Sequence, residues 1–251
     1  MTHENRHAGR TALITGAATG IGQEYARRLA EEGADIVVVD LADASETIAL
    51  VEKEGRRGLA IQCDVSDPEQ TSTLAEEVGS FGTVDILINN AGIYPFSSID
   101  ELTFEQWHKV MAVNVDSVFL VTKQFLPGMR ANGWGRIINM ASAMFHGGFA
   151  GTPHYVASKG AVIGFTRALA PELGPDGITI NALAPSLVRS AGTSTGFHDE
   201  VGMFDAIASM QSIKRTQMPD DLSGVVSFLA SEDGRFISGQ TLVVDGGLVR
   251  S

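Results

Sequence analysis

TALITGAATGIGQEYARRLAEE, running from Thr11 to Glu32, decides the fold. Thr11-Ala12-Leu13-Ile14-Thr15 reads as a buried strand. Gly16-Ala17-Ala18-Thr19-Gly20-Ile21-Gly22 follows, and a helical pattern runs from Gln23 to Glu32, with Ile21, Tyr25 and Leu29 along one face. Strand, glycine turn and helix together make a phosphate cradle. Glycines let the backbone approach a pyrophosphate, and the helix N-terminus supplies free N–H groups and a positive dipole end. A glycine triplet alone is often only a tight turn, so the weight comes from the order of the elements.

Outward from that stretch, the β-branched run Ile36 to Val39 is a parallel strand buried on both faces, with Asp40 at its carboxyl end. An acid there accepts hydrogen bonds from ribose hydroxyls or caps the next helix. It repels a 2′-phosphate by around 4 kcal/mol at about 4 Å and an effective dielectric of about 20. No Arg or Lys follows in Leu41-Ala42-Asp43-Ala44 to receive such a phosphate, which favours NAD over NADP. After a helix over 44–54, Leu59 to Cys63 is a third strand. It ends at Asp64-Val65, where Asp64 faces an adenine amino group or serves as a turn acid. Val84 to Ile88 is a fourth strand, closed by Asn89-Asn90-Ala91-Gly92. Small and amide residues there line the crevice of an open sheet, and they also make a good turn. Thr103 to Met129 reads as one long helix punctuated by Asn114, either a satisfied core amide or a kink that exposes a carbonyl and holds a water.

A second stretch carries the chemistry: GRIINMASAMFHGGFAGTPHYVASK, Gly135 to Lys159. Its strand ends near Ser142, and Tyr155 and Lys159 share one face of the following helix. A cation beside a phenol favours phenolate and lowers a pKa that is ordinarily roughly 10. The Ser142 hydroxyl is placed to hold a carbonyl or alcohol oxygen. Ile178 to Ala184 is a sixth strand stopped by Pro185, and Thr241 to Val244 a seventh. Between them, 186–217 is irregular enough to be a lid or binding loop, with Phe197, Met203 and Phe204 shielding a ligand or sealing the core. The alternation predicts a single α/β domain over 1–251, with a doubly wound, mostly parallel, seven-stranded sheet and helices on both faces, a Rossmann fold.

The chain has 251 residues, 44% of them hydrophobic, which is enough for a sizeable core. A formal charge of −12 without a basic patch argues against nucleic acid as a partner. The single cysteine, Cys63, permits no internal disulfide and fits a reducing, cytoplasmic setting. The polar start lacks an apolar signal core, and no window is apolar and long enough to span a bilayer. The six histidines show no metal-ligand spacing, so no metal is expected.

Taken jointly, TGAATGIG at Thr15–Gly22, NNAG at Asn89–Gly92, Asn114, Ser142, Tyr155 and Lys159 stand in an order and spacing that resemble the short-chain dehydrogenase/reductase family over essentially the whole chain. AGIYP at Ala91–Pro95, DELTFEQW at Asp100–Trp107, NGWGRIIN at Asn132–Asn139 and APSLVR at Ala184–Arg189 look most like its phenylethanol and related secondary alcohol dehydrogenases. Pro185-Ser186 and Ser190 stand where the family usually has Pro-Gly and a threonine. The resemblance implies that Tyr155 exchanges a proton with substrate, Lys159 lowers its pKa and binds ribose, Ser142 positions the substrate oxygen, and Asn114 completes a proton relay. It implies NAD contacts from Gly16, Thr19, Gly20, Ile21, Gly22, Asp40, Asp64, Val65, Asn90, Ala91, Gly92, Tyr155, Lys159, Pro185, Val188 and Ser190. A substrate pocket would draw on Tyr94, Ser142, Met144, Tyr155, Ser186 and Leu187. The family also implies a homotetramer. The expected activity is NAD-dependent interconversion of a small apolar secondary alcohol and its ketone. The alternatives are a 3-oxoacyl thioester reductase of the same family, against which Asp40 and the acidic charge argue, and a non-catalytic dinucleotide sensor.

Overall fold

The computed structural model describes residues 5–194 and 201–250. Seven strands form one sheet: β1 (Thr11–Thr15), β2 (Asp35–Asp40), β3 (Gly58–Gln62), β4 (Ile86–Asn89), β5 (Gly135–Met140), β6 (Ile178–Pro185) and β7 (Thr241–Val244). Their order is β3-β2-β1-β4-β5-β6-β7, and every neighbouring pair is parallel. Residues alternate between faces because side chains along a strand do. Ala12, Ile14, Ile36, Val38, Ile86 and Ile88 pack into one core layer. Leu13, Val37, Val39, Leu87 and Ile137 pack into the other. The chain winds outward in opposite directions from β1 and β4, so a crevice opens beyond the carboxyl ends of those two strands.

The crossover helices are α1 (Gly20–Glu31), α2 (Ser45–Lys53), α3 (Pro68–Gly79), α4 (Phe104–Met111), α5 (Ser117–Asn132), the short α6 (Met144–Gly147), α7 (Pro153–Leu173), α8 (Met203–Met210) and α9 (Asp220–Ala230). Local chemistry sets several of their starts. Asp67 accepts from the Glu69 and Gln70 amides to begin α3, with Pro68 in its first turn. Thr103 and Gln106 close a capping box on α4. Among the described residues, no helix is long and apolar enough to cross a membrane.

Two expectations change. The long helix over 103–129 is two helices joined by a π-helical turn at Ala112–Asp116, with Asn114 fully buried inside it. The widened turn fits a polar side chain whose bonds run off the helix. The loop over 186–217 contains α8 and a parallel bridge from Val188 to Gln217. Phe204 is buried beneath a stacked Arg189, so it seals the core, whereas Met203 is half-buried. Phe197 lies outside the described residues.

Candidate active site

The first part of the site is the turn between β1 and α1. Gly16 has φ +63°, and a Cβ there would stand 2.8 Å from the Ala91 Cα. A Cβ on Gly22 would meet the Gly16 carbonyl oxygen at 2.4 Å and the Asn90 Nδ2 at 2.7 Å. Only glycine fits at either position. Thr19 is the N-cap of α1 but makes no side-chain cap, and no acid occupies the first turn, so the helix presents its N–H groups and dipole end to an anion. The donor set therefore fits a pyrophosphate. Ile21 packs against the core beside this turn.

Asn90 and Ala91 close the cradle from the β4 side. The Asn90 Nδ2 donates to the Thr15 carbonyl at 2.9 Å and to the Gly16 carbonyl at 2.7 Å. Both main-chain amides, of Asn90 and Ala91, donate to Thr15 Oγ1 at 3.0 Å. The Asn90 side chain thus shapes the cradle rather than facing a ligand, and Thr15 is a part of the site that the sequence reading did not single out. The Asp40 carboxylate accepts from the Ala18 amide at 2.8 Å and the Ala42 amide at 2.9 Å. It anchors the glycine turn, and each oxygen keeps a lone pair for a ribose hydroxyl. Asp64 Oδ1 accepts from the Ser66 amide at 2.9 Å and the Ser66 hydroxyl at 2.6 Å, a local turn. The side chains of Val65 and Val188 are buried in the core, so only their main chains can touch a ligand.

The second part lies at the ends of β4 and β5. Lys159, 5% exposed, donates from Nζ to the Met140 carbonyl at 2.7 Å and sits 5.6 Å from the Tyr155 ring centroid. Tyr155 is half-buried, and Ser142 hydrogen-bonds its phenol. Ser142 Oγ also accepts from the Met144 amide at 3.2 Å. Asn114 forms a reciprocal pair with Ile93: Oδ1 accepts its N–H at 2.8 Å and Nδ2 donates to its carbonyl at 2.8 Å. Nδ2 also donates to Ser158 Oγ at 3.0 Å, and that hydroxyl in turn donates to the Tyr155 carbonyl. The side-chain amide is committed to these three bonds. A Cβ on Gly92 would be 3.3 Å from Asn114 Oδ1 and 3.6 Å from Lys159 Nζ, so glycine keeps this corner open.

The electrostatics correct one expectation. Burial raises the Tyr155 phenol above its ordinary value, and the Ser142 hydrogen bond offsets this only in part. Burial also holds the Lys159 ammonium down at about 8. Desolvation dominates at the phenol, and the Lys159 ammonium donates to the Met140 carbonyl.

The mouth joins distant segments. Tyr94 meets Tyr155 edge to face at 6.3 Å between ring centroids, and its hydroxyl donates to the Gly192 carbonyl. Phe96 packs edge to face on Phe149 at 6.4 Å, and the Ser97 amide donates to the Gly151 carbonyl at 2.8 Å. Met144 and Leu187 are half-buried. Ser186 is half-buried and tied to two glutamines. Its amide donates to Gln217 Oε1 at 3.0 Å, and its hydroxyl accepts from Gln211 Nε2 at 3.2 Å. Pro185 is buried at the end of β6. Ser190 Oγ lies 3.6 Å from where a Gly20 Cβ would stand, so the 185–190 segment abuts the cradle. Thr193, which the sequence reading passed over, ties this segment by accepting the Ser190 amide at 2.8 Å and donating to the Val188 carbonyl.

A doubly wound parallel sheet with an open glycine cradle, and with Ser, Tyr and Lys beside it at the switch point, is the arrangement of an α/β oxidoreductase. The comparisons agree. A family model described as Enoyl-(Acyl carrier protein) reductase matches residues 16–249. The 2-dehydro-3-deoxy-D-gluconate 5-dehydrogenase of Bacillus subtilis is 40% identical over 241 residues, 95% of this chain and 94% of that protein. The gluconate 5-dehydrogenase of Burkholderia cenocepacia, solved with NADP and tartrate, superposes with a TM-score of 0.92 at 34% identity, covering 99% of this chain and 98% of that one. The carveol dehydrogenase of Mycobacterium avium, solved with NAD, gives 0.90 at 30% identity, covering 97% of this chain and 99% of that one. The chain belongs to the short-chain dehydrogenase/reductase family and is an oxidoreductase of the alcohol–carbonyl type.

Proposed function

We propose that this protein is an NAD-dependent dehydrogenase that interconverts an apolar secondary alcohol and its ketone. The observation that carries the reading is the convergence of Ser142, Tyr155 and Lys159 beside the glycine cradle. NAD, when bound, exchanges a hydride with the substrate carbon. Tyr155 then exchanges the hydroxyl proton: its phenolate takes it in oxidation, and its phenol returns it in reduction. Ser142 Oγ holds the substrate oxygen in line with the Tyr155 hydroxyl. Lys159 supplies positive charge near the phenolate and donors for ribose hydroxyls. Asn114 fixes the Ile93 loop against α7, and its carbonyl holds the relay water.

Asp40 supports NAD, because a carboxylate at the end of β2 repels a 2′-phosphate and no cation stands in Leu41–Ala44 to offset it. The relatives divide on this point, one solved with NADP and one with NAD. They divide on substrate as well, into a sugar acid and carveol. The aromatic mouth built from Tyr94, Phe96 and Phe149 supports the apolar class. We read 186–217 as the substrate-binding lid, and the working assembly as a cytoplasmic homotetramer, which light scattering would test. A second reading, reduction of a carrier-bound thioester, is favoured by the description of the matching family model. The net charge of −12 opposes docking of an acidic carrier. An NAD-reduction screen over secondary alcohols, both enantiomers of each, alongside gluconate-type acids and acetoacetyl thioesters, tests the proposal. Turnover confined to the acids or thioesters would overturn the substrate class.

A further inference from the structure

The catalytic chemistry does not use two buried glutamines, Gln211 and Gln217, which are 1% and 6% exposed. We propose that they are positioning residues that fix where the 185–190 segment leaves β6, and so set the affinity for the dinucleotide. This rests on the reading above that the segment contacts the cofactor.

Gln217 holds both ends of a short span. Its Oε1 accepts the Ser186 amide at 3.0 Å, and its main-chain carbonyl accepts the Arg189 amide at 2.9 Å. Its Nε2 donates to the Val244 carbonyl at 2.7 Å at the end of β7. One side chain therefore joins the last two strands to the start of the lid, its amide using an acceptor and a donor at once. Gln211, just past α8, adds the second tie by donating to Ser186 Oγ at 3.2 Å. It lies against the turn after β7, where a Gly246 Cβ would be 3.3 Å from its Cδ. The Ile213 amide donates to the Gly246 carbonyl at 2.8 Å and holds that turn to the same strand of chain.

Both amides line a partly open cleft of about 140 Å³, together with Ile213, Arg215, Asp221 and Val244. The lift-off point therefore has room to shift if the amides release it. Ser186 is the partner that makes Gln211 useful. A glycine, the family's usual residue at this position, has no hydroxyl to accept its bond. A displacement of Ser186 passes through Val188 to Ser190, which abuts Gly20 in the phosphate cradle.

The test is NADH binding by fluorescence titration, alongside steady-state kinetics at saturating cofactor. One lost hydrogen bond corresponds to roughly two- to tenfold in affinity. Gln217→Met, which loses both side-chain bonds, should weaken NADH about tenfold or more while kcat stays within about threefold. Gln217→Glu keeps the acceptor for Ser186 but sets an oxygen against the Val244 carbonyl, so it should bind NADH no better than Gln217→Met. Gln211→Ala and Ser186→Gly delete one bond from its two ends, so the double variant should bind no worse than the poorer single one. Gln211→Glu should restore affinity, because the serine hydroxyl can donate to the carboxylate. Unchanged NADH affinity in folded Gln217→Met, or multiplicative losses in the double variant, would overturn the proposal. If Gln217→Met does not fold, the Gln211 and Ser186 set decides alone. Wild-type protein that binds no dinucleotide would instead overturn the reading on which the inference rests.

Discussion

Asn114 offers the sharpest single perturbation. Its amide bridges the π turn, the Ile93 loop and α7 through three hydrogen bonds, to the Ile93 N–H, the Ile93 carbonyl and Ser158 Oγ. Asn114→Ala leaves the two Ile93 groups without these partners at a partly buried site, each at about 1–3 kcal/mol. Ser158 keeps its bond to the Tyr155 carbonyl, so its loss adds little. The sum, about 2–6 kcal/mol, corresponds to a fall in Tm of about 4–24 °C for a domain of this size. Turnover should fall by more than about tenfold at temperatures where the variant is folded, because the loop carrying Gly92 and Tyr94 loses its register against Tyr155. Asn114→Asp separates position from charge: it keeps the acceptor for the Ile93 amide but sets a carboxylate no more than about 7 Å from Lys159 Nζ. A nearby anion favours the ammonium, so the kcat/KM step associated with Lys159 should move above pH 8. Calorimetry and a pH profile read both effects. A Tm within about 2 °C of wild type for Asn114→Ala would refute the bonding argument.

Other outcomes follow from the same geometry. Gly22→Ala drives a Cβ to 2.4 Å from the Gly16 carbonyl oxygen, so NADH titration should show affinity lost by more than about tenfold; near-normal affinity would contradict a rigid cradle. With about 4 kcal/mol of repulsion, wild type should prefer NAD to NADP by about 10²- to 10³-fold in kcat/KM, and Asp40→Ser should narrow that ratio more than about tenfold; equal use of the two by wild type would contradict the role of Asp40. The depressed Lys159 carries a stability cost that is fully present below about pH 8 and is relieved as pH rises from about 8 towards the ordinary lysine value, since the unfolded chain holds the proton longer. The stability of wild type relative to Lys159→Met, by urea unfolding, should therefore improve by up to about 3 kcal/mol over that range; a difference that does not vary with pH would count against it.

The parts legible in the sequence are those written in local periodicity. Short apolar runs placed β1 at Thr11–Thr15 and β7 at Thr241–Val244. The turn of helix between Tyr155 and Lys159 put both on the side of α7 that faces the site. What sequence could not give was the direction of individual polar atoms. The Asn90 amide donates into the Thr15–Gly16 turn, and Ser186 is held by Gln211 and Gln217, directions that residue type alone does not set. The bond from Tyr94 to Gly192 joins residues 98 apart in the chain, a pairing no local pattern encodes. The raised Tyr155 phenol has a similar origin: spacing shows the neighbouring cation, but not the burial of the phenol or the Met140 carbonyl that accepts from Lys159.

The account depends on Tyr155 as the group that moves the proton, and the direct measurement is Tyr155→Phe with a secondary alcohol and NAD. The ring is kept, so its edge contact with Tyr94 and the fold should persist. NADH titration should give an affinity within about threefold of wild type, while kcat falls by about 10²- to 10⁴-fold, the share general acid–base catalysis supplies. Turnover within tenfold of wild type would contradict the assignment.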